Sequence, residues 1–333
     1  MVQYLDMNGN LRHSEPIDRT EHRVFKGSAW VEETTNHWSK VGWARIYVKQ
    51  DGPHPLFEGA FSVMHDHHHV QLRSSYMQTR RESDVLVADK GEDYMIVFRD
   101  SDLVAADRSE LKRSYPEPSC QADKLSFNSD PDHPIFQSYK SPNMATVSLT
   151  ELFGLSRRQS DTGGVGGNTG GINLASTIGS AAGCPTTKKV AMIGVAADCS
   201  FVSAFNSSQS ARADVIQSVN SASSVYESSF NISIGLRNLL ILDANCPATA
   251  PQSTPWNVPC PSANISERLS LFTAWRGDQN DTNAYWTLMS NCATDAEVGV
   301  SWLGQLCVGG GPNAAVAGAN VVVRTSTEWQ VLA

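Results

Sequence analysis

The feature that most restricts the fold is an alternation of apolar strands and amphipathic helices in residues 188–333. The stretch Val190–Asp198 is apolar almost throughout, which is typical of a strand buried on both faces. An apolar stripe with helical spacing then predicts a long helix over Ser208–Ser229. A second helix is expected at 265–275, and further strands at 232–242, 284–289, 298–303 and 321–323. This order predicts an α/β domain with a largely buried sheet.

The first 115 residues show a different pattern, with short apolar or alternating runs separated by turn residues such as Asp51-Gly52-Pro53. Strands are expected at 30–31, 42–48, 56–63, 70–72 and 94–98. Their spacing predicts a β-sandwich or barrel.

Charge and cysteine content both change near residue 158. Residues 1–158 hold 19 of the 26 Lys and Arg and 23 of the 34 Asp and Glu. Six of the seven cysteines follow that point, namely Cys184, Cys199, Cys246, Cys260, Cys292 and Cys307. A glycine-rich run at 163–171 is typical of a flexible linker. We therefore expect a β-rich domain at 1–158 (the front part), a linker at 159–187, and an α/β domain at 188–333 (the back part).

Composition excludes several functions. A net charge of -8 argues against binding to a phosphate backbone, so no nucleic-acid partner is expected. The glycine run lacks the preceding strand and the Gly-Lys-Ser/Thr ending of a nucleotide-binding loop. No C-x-x-C pair suggests a structural zinc finger, and no apolar run is long enough to span a membrane.

Several features favour the secretory pathway. Six spaced cysteines suit disulfide bonds in an oxidising compartment. Four glycosylation sequons lie in the same part of the chain, at Asn206, Asn231, Asn264 and Asn280. The segment 1–23 is polar and is not a signal peptide, so either the protein is cytosolic or the start of this sequence is a truncation, which is the interpretation we favour. The protein is expected to be secreted or held at the cell surface.

A histidine-rich segment in the front part leaves two interpretations open. His65, His67 and His69 would share one face of a strand, where two or three of them could bind a metal. An exposed histidine-rich strand without a metal fits the same residues.

The last residues predict a strand followed by a helix. Val321–Val323 end a strand, and Thr325 with Glu328 three positions later has the spacing of a capping box. Val331 and Leu332 give the new helix an apolar face. A helix ended after two turns has not offset its nucleation cost, so the sequence is interpreted as a fragment.

Four runs in this order resemble the ADAM/reprolysin branch of the metzincin zinc metalloproteases, with fungal ADAM-type proteases as the nearest group. They are Val225-Tyr226 leading into Ile232–Ile234, Phe272–Arg276, Gly299–Cys307 and Thr325–Ala333. The resemblance implies a two-domain α+β and α/β fold, with a β-rich pro-domain followed by the upper subdomain of a metzincin catalytic domain.

The resemblance also implies a zinc-dependent metalloendopeptidase that acts on protein or peptide substrates. In the family, a His-Glu-x-x-His helix would follow directly after Ala333, so no catalytic residue is expected in this chain and the chain itself is expected to be inactive. Substrate would pair with the edge strand at Val300, Trp302, Leu303 and Gly304.

Two elements of zymogen control are implied in the same way. Pro118-Ser119-Cys120 resembles the loop whose cysteine thiolate binds the zinc and keeps the precursor silent. Arg157-Arg158 lies beside the glycine-rich linker, where a kexin-like processing protease would cut.

Two other classes remain compatible with the sequence. One is a non-catalytic secreted binding module that holds a metal through His65–His69. The other is an α/β binding domain of another family, because an α/β pattern does not fix function.

Overall fold

The computed structural model describes residues 1–18, 20–64, 66–82, 84–103, 125–128, 130, 185–292 and 298–333. His65, Cys120, Arg157, Arg158 and Cys184 lie outside these described residues, as does the glycine-rich run.

The described elements of the front part are mostly strands. They are β1 (Val2–Leu5), β2 (Leu11–Glu15), β3 (Val24–Thr34), β4 (His37–Gln50), β5 (Leu56–Val63), β6 (Asp66–Leu72), α1 (Arg73–Thr79), β7 (Met95–Arg99) and α2 (Asp100–Leu103). The back part alternates strands and helices, as its sequence pattern predicts. Its elements are β8 (Lys189–Ala197), α3 (Cys199–Ser203), α4 (Ser208–Phe230), β9 (Ile232–Ile241), α5 (Ile265–Gly277), β10 (Trp286–Ser290), β11 (Gly299–Ser301), β12 (Ala319–Val323) and α6 (Glu328–Leu332).

A seven-stranded sheet runs through the back part in the order β11-β12-β10-β8-β9-β1-β2. All of its neighbouring strands are parallel except β11 against β12 and β2 against β1. Gly194 on β8 permits close packing here, because a Cβ at that position would lie 2.3 Å from the ring of Trp286. The sheet shifts register between Ile193 and Gly194, which gives the bulged β8–β9 pairing.

The sheet is buried on both faces because successive side chains of a strand point to opposite sides. Val195 and Ala197 of β8 pack with the α4 residues Val215 and Val219 in one core cluster. Ala196, between them in sequence, packs in a second cluster with the α5 residues. The second cluster is rich in aromatic rings, including Trp256, Phe272, Trp275 and Trp286.

The front part forms one five-stranded antiparallel meander, β3-β4-β5-β6-β7, which packs on α4. The predicted sandwich or barrel is therefore wrong for the described residues. The strand positions are confirmed, but strand spacing does not specify which sheet a strand joins. Two strands that the sequence does not predict lie outside the meander. Strand β1 pairs with β9, where the side chain of Val2 is fully buried in the back-part core, and β2 pairs with β1.

Two charged residues of α4 also connect the parts. Arg212 is buried and contacts the carboxylates of Glu15 and Glu21. Glu227 accepts a contact of 3.2 Å from Arg45 of β4. The overall class is mixed α+β, as expected.

The predicted capping box at Thr325 is wrong in part. Helix α6 begins at Glu328 with Thr327 before it, and no side chain caps its first N–H groups. Of the two hydrogen bonds that make a capping box, only one is present: Thr325 N–H donates to Glu328 Oε2 at 3.3 Å. A complete capping box instead begins α5, where Asn264 and Glu267 each accept the other's main-chain N–H.

The expected disulfides form within the back part. Cys199 pairs with Cys246, and Cys260 pairs with Cys292. Cys307 is exposed and has no cysteine partner within the described ranges. Across the same ranges, every helix is too short or too polar to cross a membrane.

Candidate active-site cleft

The outermost strand of the large sheet, β11, exposes one side of its main chain. It pairs antiparallel with β12, and Val323 N–H donates to Val298 C=O at 2.8 Å. Because main-chain groups alternate in direction along a strand, those of Val300 also face β12 while those of Gly299 and Ser301 face outward. The outward side of β11 is thus an edge to which another extended segment can hydrogen-bond.

The four residues predicted to line the substrate site follow one another along this edge. Val300 is buried in the second core cluster and anchors the strand. Trp302 donates from Nε1 to Thr273 Oγ1 of α5 at 2.7 Å, which fixes its indole against the domain. Leu303 and Gly304 form the turn that follows, and Gly304 has a φ of +66°, which favours glycine.

A segment of the front part already occupies the end of this edge. Asn128 donates from Nδ2 to Ser301 C=O at 2.9 Å and accepts from Leu303 N–H at 2.7 Å through Oδ1. Its side chain is buried, and the neighbouring Phe127 ring meets the Trp302 ring edge-on at 6.1 Å. The Asn128 amide therefore satisfies two main-chain groups that a paired strand would otherwise bind. No sequence motif marks Asn128, and the sequence analysis missed it.

Beside the edge strand lies a groove of about 270 Å³. It runs between β11, β12 and the end of α6, and it is lined by Tyr226, Gly299–Ser301, Asn320–Val322 and Val331–Ala333. Its lining mixes polar and apolar surface and includes all three residues of β11. Its apolar residues could contact side chains of an extended chain bound at that edge.

The start of α6 is held by a polar cluster of the front part. His67 and His69 share one face of β6, as predicted, and both contact the Asp100 carboxylate, at 3.1 and 2.7 Å. From α6, Gln330 donates to the same carboxylate at 2.8 Å, and Trp329 Nε1 donates to His69 Nδ1 at 3.2 Å. The sequence predicts the two histidines as site residues but not Asp100, Trp329 or Gln330.

The electrostatics of this cluster centre on Asp100. Burial alone would raise the pKa of its carboxyl, but hydrogen bonds with His67, His69 and Gln330 outweigh burial and hold that pKa well below its usual range. The hydrogen bonds from Gln330 and Trp329 thus fasten α6 to the front sheet.

A metal site at these histidines is one of the two interpretations that the sequence leaves open. Within the residues that the structure describes, no three His, Cys, Asp or Glu side chains are placed to hold a metal ion. The described residues consequently do not fit a zinc site, and no chemical step through zinc is assigned to them.

The four sequon asparagines lie in different settings. Asn206, Asn264 and Asn280 are exposed. Asn231 is half-buried with a φ of 56°, and its amide donates to Pro185 C=O at 2.9 Å and to Thr186 C=O at 3.3 Å. Three of the four side-chain amides are therefore open to a modifying enzyme, and the fourth is engaged.

Comparison with known proteins adds to this geometry. The family model Reprolysin_5, of metallo-peptidase family M12, matches residues 186–333. The chain is 56% identical over 344 residues to the disintegrin and metalloproteinase domain-containing protein B of Aspergillus fumigatus, covering 100% of this chain and 44% of that protein. It is 44% identical over 350 residues to the protein of the same name from Arthroderma benhamiae, covering 100% and 43%. The chain spans less than half the length of these relatives.

A solved structure, metalloproteinase-II from Bacteroides fragilis, matches with a TM-score of 0.29 and 10% identity, over 97% of this chain and 83% of that one. That TM-score is too low to indicate a shared fold.

Family M12 implies zinc as the cofactor and metalloendopeptidase chemistry as the family trait. The resemblance seen in the motifs is confirmed by the match of residues 186–333 and by the full-chain similarity to two fungal proteins. Residues 186–333 therefore match metallo-peptidase family M12, and the whole chain is similar to fungal metalloproteases of the ADAM/reprolysin type.

Proposed function

We propose that this chain is the zymogen portion of a zinc-dependent metalloendopeptidase that cleaves peptide bonds in protein substrates. In this proposal residues 1–158 are the inhibitory pro-domain, 159–187 the linker, and 188–333 the first part of the catalytic domain. The observation that carries it is the outward edge of β11, whose main-chain groups at Ser301 and Leu303 are already hydrogen-bonded by Asn128 of the front part.

The edge strand would bind substrate through its main chain. An extended peptide can add to an exposed sheet edge by main-chain hydrogen bonds, while pockets select its alternate side chains. Gly299 and Ser301 supply the outward groups, and the groove beside Val331 and Leu332 supplies apolar contacts. Binding of this kind recognises extended backbone and suits a protease that acts on protein segments.

The front part would keep the precursor silent in two ways. It covers the end of the edge strand through Asn128, and it clamps the start of α6 through Asp100. Cys120 is proposed as the additional zinc ligand of the precursor, and Arg157-Arg158 as the cut made by a kexin-like protease in the secretory pathway. The two disulfides support an oxidising compartment.

The proposal is tested by measuring casein cleavage with and without a zinc chelator. The chain of residues 1–333 should be inactive, and the longer protein from which it comes should be active after processing and silenced by the chelator. Chelator-sensitive cleavage by residues 1–333 alone would contradict the assignment. A processed full-length protein without peptidase activity would contradict it as well.

A further inference from the structure

Two carboxyl groups lie where the front sheet covers the back part. Asp214 of α4 and Glu328 of α6 line the same small cavity. Glu328 is 8% exposed, and although Asp214 keeps some exposed atoms, its Oδ2 is inaccessible to solvent and unpartnered among the described residues. Burial disfavours the charged form of a carboxyl group, so this site favours a proton on one of the two.

The front part forms the cover over this pair. A cavity of about 30 Å³ beside it is bounded on one side by β5, β6 and α1, and on the other by α4 and the segment from Arg324 to Trp329. Gln71 of β6 closes the boundary by donating from Nε2 to Ser326 C=O at 2.8 Å. If the front sheet moved away, water would reach both carboxyl groups.

The surrounding charges do not neutralise the pair by direct contact. Lys49 contacts Glu58 at 3.1 Å, so its charge is already paired. The Arg324 guanidinium lies over the Phe205 ring at 4.2 Å and donates to Gln78.

The histidine at the cavity is also engaged. His69 contacts Asp100 through Nε2 and accepts from Trp329 at Nδ1, which is the hydrogen-bond pattern of a neutral imidazole. Neither the two cations nor this histidine therefore compensates a charge on the pair by direct contact.

Burial is the main electrostatic effect on both groups. It raises the pKa of Asp214 to about 6 against the smaller opposing effects of Arg324 and Lys49, with Glu58 adding to the rise. Burial and then the charge of Asp214 raise the pKa of Glu328 to about 8. Both pKa values lie above those of exposed carboxyls, for which 3.8 and 4.5 are ordinary.

We propose that docking of the front part on the back part takes up a proton from solvent at Asp214 or Glu328, so that the two parts separate more readily as the pH rises. The docked state binds more protons than the opened state between about pH 4 and 8, and docking is therefore progressively weakened across that window. Above about pH 8 the effect levels off. This pH dependence of docking does not depend on whether the front part inhibits a protease.

Hydrogen exchange of residues 1–333 tests the proposal. Protection of α6 and β6 is measured at pH 5.5, 7.0 and 8.5, corrected for the intrinsic exchange rate. The parent is compared with the double variant Asp214→Asn, Glu328→Gln, whose amides keep the shape of the pair without its titration. Between pH 5.5 and 8.5 we expect the protection of α6 and β6 to fall at least about tenfold more in the parent than in the double variant. One pKa unit corresponds to a tenfold change in the protonation equilibrium. Every other ionisable side chain is the same in both proteins.

The control is Asp278→Asn, which changes an exposed carboxylate at the end of α5 and should follow the parent at every pH. Equal pH dependence in parent and double variant would overturn the proposal. If the double variant does not fold, Glu328→Gln alone serves in its place. A parent whose protection in α6 is independent of pH would refute the proposal by itself.

Discussion

At the residue scale, single asparagine amides perform distinct structural tasks that their sequence context does not reveal. Asn231 ends α4 in the left-handed conformation and ties it to residues 185 and 186. Asn264 begins α5 as the first half of a capping box. Both also satisfy the glycosylation sequon, which depends on local sequence alone.

We expect these two asparagines to differ in glycan occupancy. A glycan on Asn231 would replace a hydrogen of the side-chain amide that donates to Pro185 and Thr186. Asn264 caps its helix through Oδ1, so a glycan on its Nδ2 would leave the cap in place. Mass spectrometry of the protein from a glycosylating host should find Asn206, Asn264 and Asn280 occupied and Asn231 empty. Substantial occupancy at Asn231 would show that the described hydrogen bonds do not form in the secreted protein.

At the element scale, the edge strand β11 shows how two distant segments make one site. The sequence analysis located the strand and the residues that follow it, because alternation and turn residues are local signals. It could not find Asn128, which lies 173 residues before Ser301 and contacts it only in the folded chain. The same reason explains why His67 and His69 were found while their partners on α2 and α6 were missed.

Replacing Asn128 should expose this end of the edge strand. Asn128→Ala removes the acceptor for Leu303 N–H and the donor to Ser301 C=O, and each such bond stabilises by roughly 0.5–1.5 kcal/mol. Hydrogen exchange at Leu303 should therefore speed up several-fold. Asn128→Asp is the matched control, since its carboxylate still accepts from Leu303 but no longer donates to Ser301. If Leu303 exchanges at the same rate in the parent and in Asn128→Ala, the contact does not hold the front segment on the strand.

At the scale of the whole molecule, the composition boundary near residue 158 does not coincide with a boundary between sheets. Charge and cysteine content change there because the two parts differ in surface and in covalent crosslinks, and both differences are visible in sequence. Sheet membership depends on which edge a strand meets, and that is decided by packing. Strand β1 carries no local sign that it pairs with β9, more than 200 residues later.

The position of β1 predicts that the two parts stay together after the chain is cut between them. Val2 is fully buried in the back-part core, Leu239 N–H donates to Met1 C=O at 2.9 Å, and Arg212 is buried against Glu15 and Glu21. A single cut within 159–187 leaves all of these contacts in place. Size-exclusion chromatography of the nicked protein at pH 6 should give one peak that contains both fragments.

Weakening β1 should then release the front part. Val2→Ala removes about two buried methylene equivalents, or roughly 2 kcal/mol at about 0.8 kcal/mol each, and Arg212→Ala leaves two carboxylates without their buried partner. The double variant should separate into two peaks after the same cut, while Val31→Ala, an exposed position on β3, should behave as the parent does. Separation of the nicked parent under native conditions would mean that β1 pairing does not hold the parts together, and that the linker alone keeps the front part in place.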